Sequence, residues 1–459
     1  MINKSFIFNL IICLIFLVSA SLYSQDTIRT PRDFADMVPN GSYTLMNDIT
    51  VTQMYTQTFS GHFNGNNKKI TVQINENATS VGLFSQLGSG GSIRNLVVDG
   101  SVIGGQQSGN VGGIVGQLLS GHIAFSTNLA DVTGDGNRSS VGGVIGAINM
   151  TNHGSDILDC VNNGTITGGY NIGGVIGAIF NGAGISLNLC KNAGIIKSNS
   201  PNPHCMAGII GVIFGECFLN VAVNIGKILS SKSEYAGGIV GYFENGQLTL
   251  GTNAGIVDGA MNSVGGIVGG GTAGLFGCIN TNWVDSGSAQ YFGAIVGMNN
   301  GIVGLGIVDN CYYDNQMCAI GGINNQDVSN SAEGRPTALM IGSNLPIATN
   351  NPYPQLYPMV NYFNPHPIDL LAAAPIYPYP NPYIANITQD FKVSNNYWFP
   401  IQFPYPYRFR WTSVNGFINI PANSDDAFIN PPFGVLRQDT LRVILPGEPY
   451  TKDVPIWLR

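Results

Sequence analysis

A six-residue pattern, Val-Gly-Gly-Ile-Val-Gly, recurs down the middle of this 459-residue chain and limits its fold more than any other feature. It stands at Val111 to Gly116, Val141 to Gly146 and Ile172 to Gly177. With further substitutions it returns at Met206 to Gly211, Ala236 to Gly241, Val264 to Gly269 and Phe292 to Gly297. The closing glycines are 28 to 34 residues apart. A repeat of that length means stacked supersecondary units, each able to bury its apolar face only against its neighbours.

Each copy carries a second landmark. Asn162-Asn163-Gly164-Thr165-Ile166 aligns with Asn192 to Ile196, Asn224 to Ile228 and Asn253 to Val257, with looser versions at Asn128 to Val132 and Asn280 to Val284. One repeat therefore reads as two or three short β-branched runs separated by Gly and Asn corners, residues that tolerate left-handed angles and tight turns. No copy contains ten residues of helical periodicity. The expected fold is all-β: a β-solenoid, read as a right-handed parallel β-helix.

Two residues before each corner Asn sits a small residue: Ser126, Cys160, Cys190, Ala222, Gly251 and Cys278. Equivalent positions of successive coils lie one above another, about 4.8 Å apart. The cysteines suit a tight inward column, and Asn162, Asn192, Asn224 and Asn253 suit a ladder of amide hydrogen bonds from coil to coil. Both columns read as architecture, in preference to a metal or catalytic role.

The glycine-motif copies resemble the GLUG repeat of secreted and surface proteins of bacteria, from Val81 (Val-Gly-Leu-Phe) to about Gly297. The flanks are similar to that group as well. Gly41 to Leu45, Asn47 to Ile49 and Phe59 to Gly65 look like its N-terminal lead-in, and Asn310 to Asp314 and Tyr353 to Leu356 like its exit. The resemblance implies an extracellular or cell-surface, adhesin-like role and brings no catalytic set.

Composition narrows the function classes. Only 10% of residues are charged, and the net charge of −7 comes with no basic stripe, which argues against a nucleic-acid partner. Residues 1–24 read as an export signal, with Lys4, an apolar core from Phe6 to Val18 and small residues at Ser19-Ala20-Ser21 or Leu22-Tyr23-Ser24. No later segment reads as a membrane span. Seven cysteines remain beyond Cys13. A Cys311–Cys318 bridge and stacked free thiols are both open readings. No paired Cys or His spacing suggests zinc, and no cofactor is expected.

The remaining organisation follows composition. Residues 25–80 form the lead-in and cap, 81–310 the repeats and 311–345 a C-terminal cap. Of 24 prolines, 19 lie beyond residue 345, against three of 61 glycines, so 346–372 reads as a proline-rich, semi-rigid connector. Residues 373–459 read as a small β-sandwich, with strands near Asp390–Val393, Phe409–Ser413, Leu441–Leu445 and Val454–Leu458. This segment resembles bacterial immunoglobulin-like domains through Trp411, Ser413 and Asn415. It departs from their pattern where Pro400, Pro404 and Pro406 crowd a strand approach.

β-Helices also host polysaccharide lyases and hydrolases, which need paired carboxylates or a base beside a cation. The acids of the repeats share no recurring position. Asp156 and Asp159 are near one another, and Asp131 with Asp135 makes a fragment of a calcium loop without its remaining ligands. The five histidines read as surface turn residues. The expectation is a non-enzymatic, adhesin-like scaffold with a glycan or an extracellular protein as ligand. A polysaccharide-cleaving enzyme and a spacer presenting residues 373–459 are the alternatives. The best single contact loop is Lys197 to Met206, with Pro201 and Pro203, set against an inert insertion.

Overall fold

The computed structural model describes residues 26–335, apart from 137, 150–154, 231, 300–306, 316–317 and 319, together with short strands beyond 382. The export signal and the connector lie outside the described residues. The chain forms a parallel β-solenoid of about eight turns. A long 32-stranded sheet winds through every coil, and an eight-stranded sheet collects one strand from each: Ser80–Val81, Asn110–Gly112, Ser140–Gly142, Asn171–Gly173, Cys205–Ala207, Tyr235–Gly237, Ser263–Gly265 and Tyr291–Gly293.

Pairing is in register from coil to coil. Val111 faces Val141, Val141 faces Ile172, and Ile172 faces Met206. Within one coil Val141, Val144, Ile145, Ile148, Ile157, Cys160 and Ile166 are wholly buried, and the same positions of the neighbouring coils extend them into one continuous core. A repeat that exposed this face alone would be unstable; stacking covers it at ~25 cal/mol per Å².

The motif glycines act through contact, and none of them has a positive φ. A Cβ on Gly142 would lie 2.1 Å from the Ile145 carbonyl oxygen and 2.7 Å from the Gly177 nitrogen of the next coil. The left-handed corner lies at the residue just before the small column; Asn95, Gly277 and Asn310 meet the expectation of Gly or Asn there, but the five coils between Asn95 and Gly277 do not. Phe125, Asp159, Leu189, Val221 and Leu250 all take φ between 47° and 59° there. Stacked backbone hydrogen bonds, such as Phe125 N–H to Leu158 O at 2.8 Å, hold a conformation these side chains would otherwise avoid.

At the N-terminal end, a short helix (Pro31–Ala35) starts at a capping box made by Thr30 and Asp33. Its Phe34 packs edge-on against Tyr55, Phe63 and Phe84, at 5.7 to 6.4 Å, within the first coils' aromatic core. At the other end Cys311–Asp314 pairs with Ala332–Arg335, and the Arg335 guanidinium lies 5.5 Å from the Tyr312 ring. Further on, Arg437–Ile444 runs antiparallel to both Arg410–Ser413 and Thr451–Leu458, and Asp426–Ile429 to Asp390–Lys392 and Ile418–Asn419. Among the described residues, no helix is long and apolar enough to cross a membrane.

Candidate functional site

The interior columns fix what the surface presents. Asn128 Nδ2 donates to Asn162 Oδ1 at 2.9 Å. The chain of amides then runs through Asn192, Asn224, Asn253 and Asn280 at 2.8 to 2.9 Å. Each Nδ2 also donates to a carbonyl two residues on, such as Asn162 to Gly164 O at 3.0 Å. All six are fully buried, so these bonds satisfy groups that would be costly without partners, apart from Asn128 Oδ1 at the first rung, which has no hydrogen-bond partner among the described residues.

The ladder explains the second glycine of each motif. A Cβ on Gly113, Gly143, Gly174, Gly208, Gly238 or Gly266 would stand 2.2 to 2.5 Å from the Asn side chain of its own coil. Where the ladder is absent, so is that glycine. Val98 and Tyr313 occupy the Asn register at the two ends, and Leu83 and Ala294 replace the glycine there.

Cys160, Cys190, Cys278 and Cys311 lie in the small inward column. All seven described cysteines are free thiols, so the Cys311–Cys318 bridge is not formed. Burial pushes the Cys190 and Cys318 thiols up to about 12, which makes them inert packing groups.

Contrary to the expectation that no acids share a register, Asp258 and Asp285 stand side by side on adjacent coils, where burial and then the Asp285 charge raise the Asp258 pKa. The acids singled out in the sequence are occupied singly. Asp156 lies 3.4 Å from His122 Nδ1 and Asp159 3.5 Å from Lys191 Nζ, so the two carboxylates have different partners. Asp131 Oδ1 accepts from Thr165 N–H, and Asp135 Oδ1 from Asn199 Nδ2. Among the described residues no three His, Cys, Asp or Glu side chains converge as a metal set.

The Lys197–Met206 segment does not stand out as a free loop. Ser198 Oγ donates to Gly168 O at 2.9 Å, and Asn199 Nδ2 reaches back two coils to Gly134 O at 3.2 Å. Its tip, Pro201 and Asn202, is exposed, as are Lys197 and Asn199, while Pro203 is buried. With Leu229 and Lys232 of the next coil, Ser198, Asn199, Ser200 and Pro201 border an open cavity of about 450 Å³.

At the end of that segment the outside of the solenoid changes chemistry. His204 stacks on Tyr170 at 5.0 Å with planes 13° apart and meets Tyr235 edge-on at 5.8 Å. Tyr235 contacts Tyr242 at 4.9 Å, Tyr242 contacts Phe214 at 6.0 Å, and Phe214 stacks on Phe180 at 6.2 Å. Six rings thus form a continuous half-buried arc across three coils, seated on Ala178, Cys205 and Val212.

His204 is not a surface turn residue. Its Nδ1 lies 3.2 Å from Asn171 Oδ1 and 3.3 Å from Cys205 Sγ, and its Nε2 lies 3.5 Å from Glu234. Burial lowers its pKa below the ordinary imidazole value, and the Glu234 carboxylate opposes that shift. The neighbouring Cys205 thiol is raised well above its usual value by burial, then by Glu234, so the pair is unsuited to nucleophilic attack.

The arc lies where the outer face departs from the repeat, so no repeated column marks it in the sequence. Its signal is the run Gln117, Ala147, Ala178, Val212, Tyr242, Gly270 at one outer register, where a single coil introduces a large ring.

No family model matches the chain, and no curated protein matches it. One solved structure is similar, described as a "putative immunoglobulin A1 protease from Bacteroides ovatus". It is 15% identical, with a TM-score of 0.41, over 72% of this chain and 88% of that one. A likeness of that degree carries neither a shared family nor a shared activity.

Proposed function

We propose that this chain is an exported, adhesin-like binding protein of the GLUG-repeat group. In this reading a right-handed solenoid presents ligand-contacting residues on its outer face, and residues 373–459 form an immunoglobulin-like module. One observation carries the reading: the outer registers change from coil to coil while the interior columns stay constant. Such a scaffold holds surface side chains rigidly, because each is fixed by in-register strands on both sides. Contacts repeated along it would add as avidity to a ligand that itself repeats.

The testing experiment presents purified residues 25–459 to glycans and extracellular-matrix proteins, scoring retention and new reducing or unsaturated ends. Retention without cleavage is expected. Cleavage products would replace this reading with a polysaccharide-degrading enzyme. Retention that survives deletion of residues 81–310 would make the solenoid a spacer.

A further inference from the structure

We infer that the ring arc around Tyr235 and Tyr242 is a carbohydrate-binding site that takes a short stretch of neutral glycan. This rests on the proposed binding role and deepens it by naming the site and the ligand class. The first support is that folding does not call for the rings. At the register of Tyr235 other coils carry Asn110, Ser140, Asn171, Cys205 and Ser263, with a second tyrosine, Tyr291, only in the last coil, and at that of Tyr242 they carry Gln117, Ala147, Gly270 and Met298. Small and polar side chains complete the coils on both sides of the arc, so the strand forms at this register without an aromatic ring.

The second support is that the platform is pre-positioned. A Cβ on Gly270 would lie 3.0 Å from Cδ1 and Cε1 of Tyr235, so the glycine of the next coil leaves the space its ring occupies. Tyr235 and Tyr242 are tilted by 59°, and His204 closes one side. A ring held this way loses little side-chain entropy when a ligand stacks on it.

The third support is the mixture of groups. Sugar rings offer apolar C–H faces bordered by hydroxyls, and here aromatic faces are bordered by hydrogen-bonding groups. Asn262 hydrogen-bonds Tyr235, and the half-exposed Glu234 carboxylate lies beside His204. The ring arc includes no cation to recruit an acidic sugar, and Glu234 would repel one, so the glycan is neutral.

Size and backbone geometry decide against a protein. Three coils span only ~14 Å at ~4.8 Å each, whereas a standard protein interface needs about 800 Å² per partner. An extended peptide would need an open strand edge, but the strands at the arc pair on both sides: Cys205–Ala207 lies between Asn171–Gly173 and Tyr235–Gly237, which in turn pairs with Ser263–Gly265.

The test is affinity electrophoresis and calorimetry of residues 25–459 with cellohexaose, mannohexaose and maltohexaose, with polygalacturonate as the acidic probe. Binding of at least one neutral hexaose is expected. Tyr235→Ala with Tyr242→Ala should weaken it about tenfold or more, and Gly270→Ala should weaken it by displacing the ring. Phe218→Ala, at an exposed ring outside the arc, should leave binding unchanged, with circular dichroism showing all variants folded. Neutral-glycan binding that is unaffected by the double variant overturns the site and leaves the binding role standing. Retention on polygalacturonate or a matrix protein alone overturns the ligand class. Retention on nothing overturns both proposals.

Discussion

The inner Asn column and the outer ring arc occupy the same coils and obey opposite rules. Asn162, Asn192, Asn224 and Asn253 repeat because each amide needs the next one at a fixed spacing. The arc does not run from coil to coil as a column: Tyr235 has Cys205 below it and Ser263 above. An inner change propagates to both neighbours, whereas an outer change ends at the side chain. In a solenoid, stability is written in what recurs and specificity in what departs from recurrence.

The largest effect should come from placing a side chain where the ladder passes. Gly174→Val puts a Cβ 2.1 Å from Gly208 O and 2.4 Å from Asn192 Cγ. Neither backbone nor a twice-bonded amide can give way, so a loss of about 3 kcal/mol or more is expected, read as a large fall in melting temperature and soluble yield. Gly184→Ala is the contrast, since no atom lies within 4 Å of its Cβ. Its only cost is the positive φ, about 1 kcal/mol. Equal effects of the two substitutions would break the distinction between contact glycines and turn glycines.

Removing one rung should cost less. Asn192→Ala takes a donor from Asn224 Oδ1 and an acceptor from Asn162 Nδ2, but Gly226 N–H and Gly164 O still partner those atoms. A loss of about 1–3 kcal/mol is expected. Asn192→Asp should be worse at neutral pH, because a buried carboxylate would face the Asn224 oxygen. Burial raises such an acid's pKa in the folded state, so its stability relative to Asn192→Ala should be best in acid and fall as pH rises. Paired thermal melts at pH 4 and pH 7 check the sign.

The thiols test the two regions chemically. In the native protein no described cysteine should react with iodoacetamide over a period that fully labels the unfolded chain, since all seven are buried. Tyr235→Ala should expose Cys205, which the rings cover, while Cys160 and Cys190 stay protected by the core. Mass mapping of the labelled cysteine reads this directly; labelling of Cys160 or Cys190 would mean that the arc helps hold the coils shut.

Which parts of this were legible follows from the same contrast. The period of the glycine motif and the alignment of Asn162, Asn192, Asn224 and Asn253 point to a solenoid because recurrence in sequence becomes adjacency in space. The left-handed corner at Leu189 and Val221 was not legible: neither residue favours positive φ, and stacked backbone hydrogen bonds impose it. The link between the second glycine and the Asn was present in the sequence as Leu83 and Ala294 at the ends, yet it takes coordinates to see that the two positions touch. The arc was the least legible feature, since Tyr170, His204 and Tyr235 lie more than 30 residues apart without a shared motif. The prolines of Lys197–Met206 mark a loop in the sequence, but the ring chemistry begins at the segment's last residues.

The smallest expected effect concerns His204 and fixes how firmly the arc is joined to the coils. Burial lowers its pKa in the folded state, so the native site favours the neutral imidazole. The unfolded chain then binds more protons as pH falls past the ordinary value near 6.5. The stabilising contribution is therefore complete above that value and is lost as pH falls through the lower folded-state pKa. The arc, not the whole solenoid, should loosen, because the His204 ring meets Tyr170, Asn171, Cys205, Glu234 and Tyr235, all on the outer face. Amide exchange at Tyr235, whose N–H donates to His204 O at 2.9 Å, should quicken between pH 6.5 and pH 5 beyond the ordinary pH trend, while exchange at Ile172 does not. His204→Phe should remove that excess. Glu234→Gln should enlarge it, since the carboxylate favours the protonated ring that burial opposes. Quickening at both amides would mean that the outer departures from the repeat are coupled to the ladder after all.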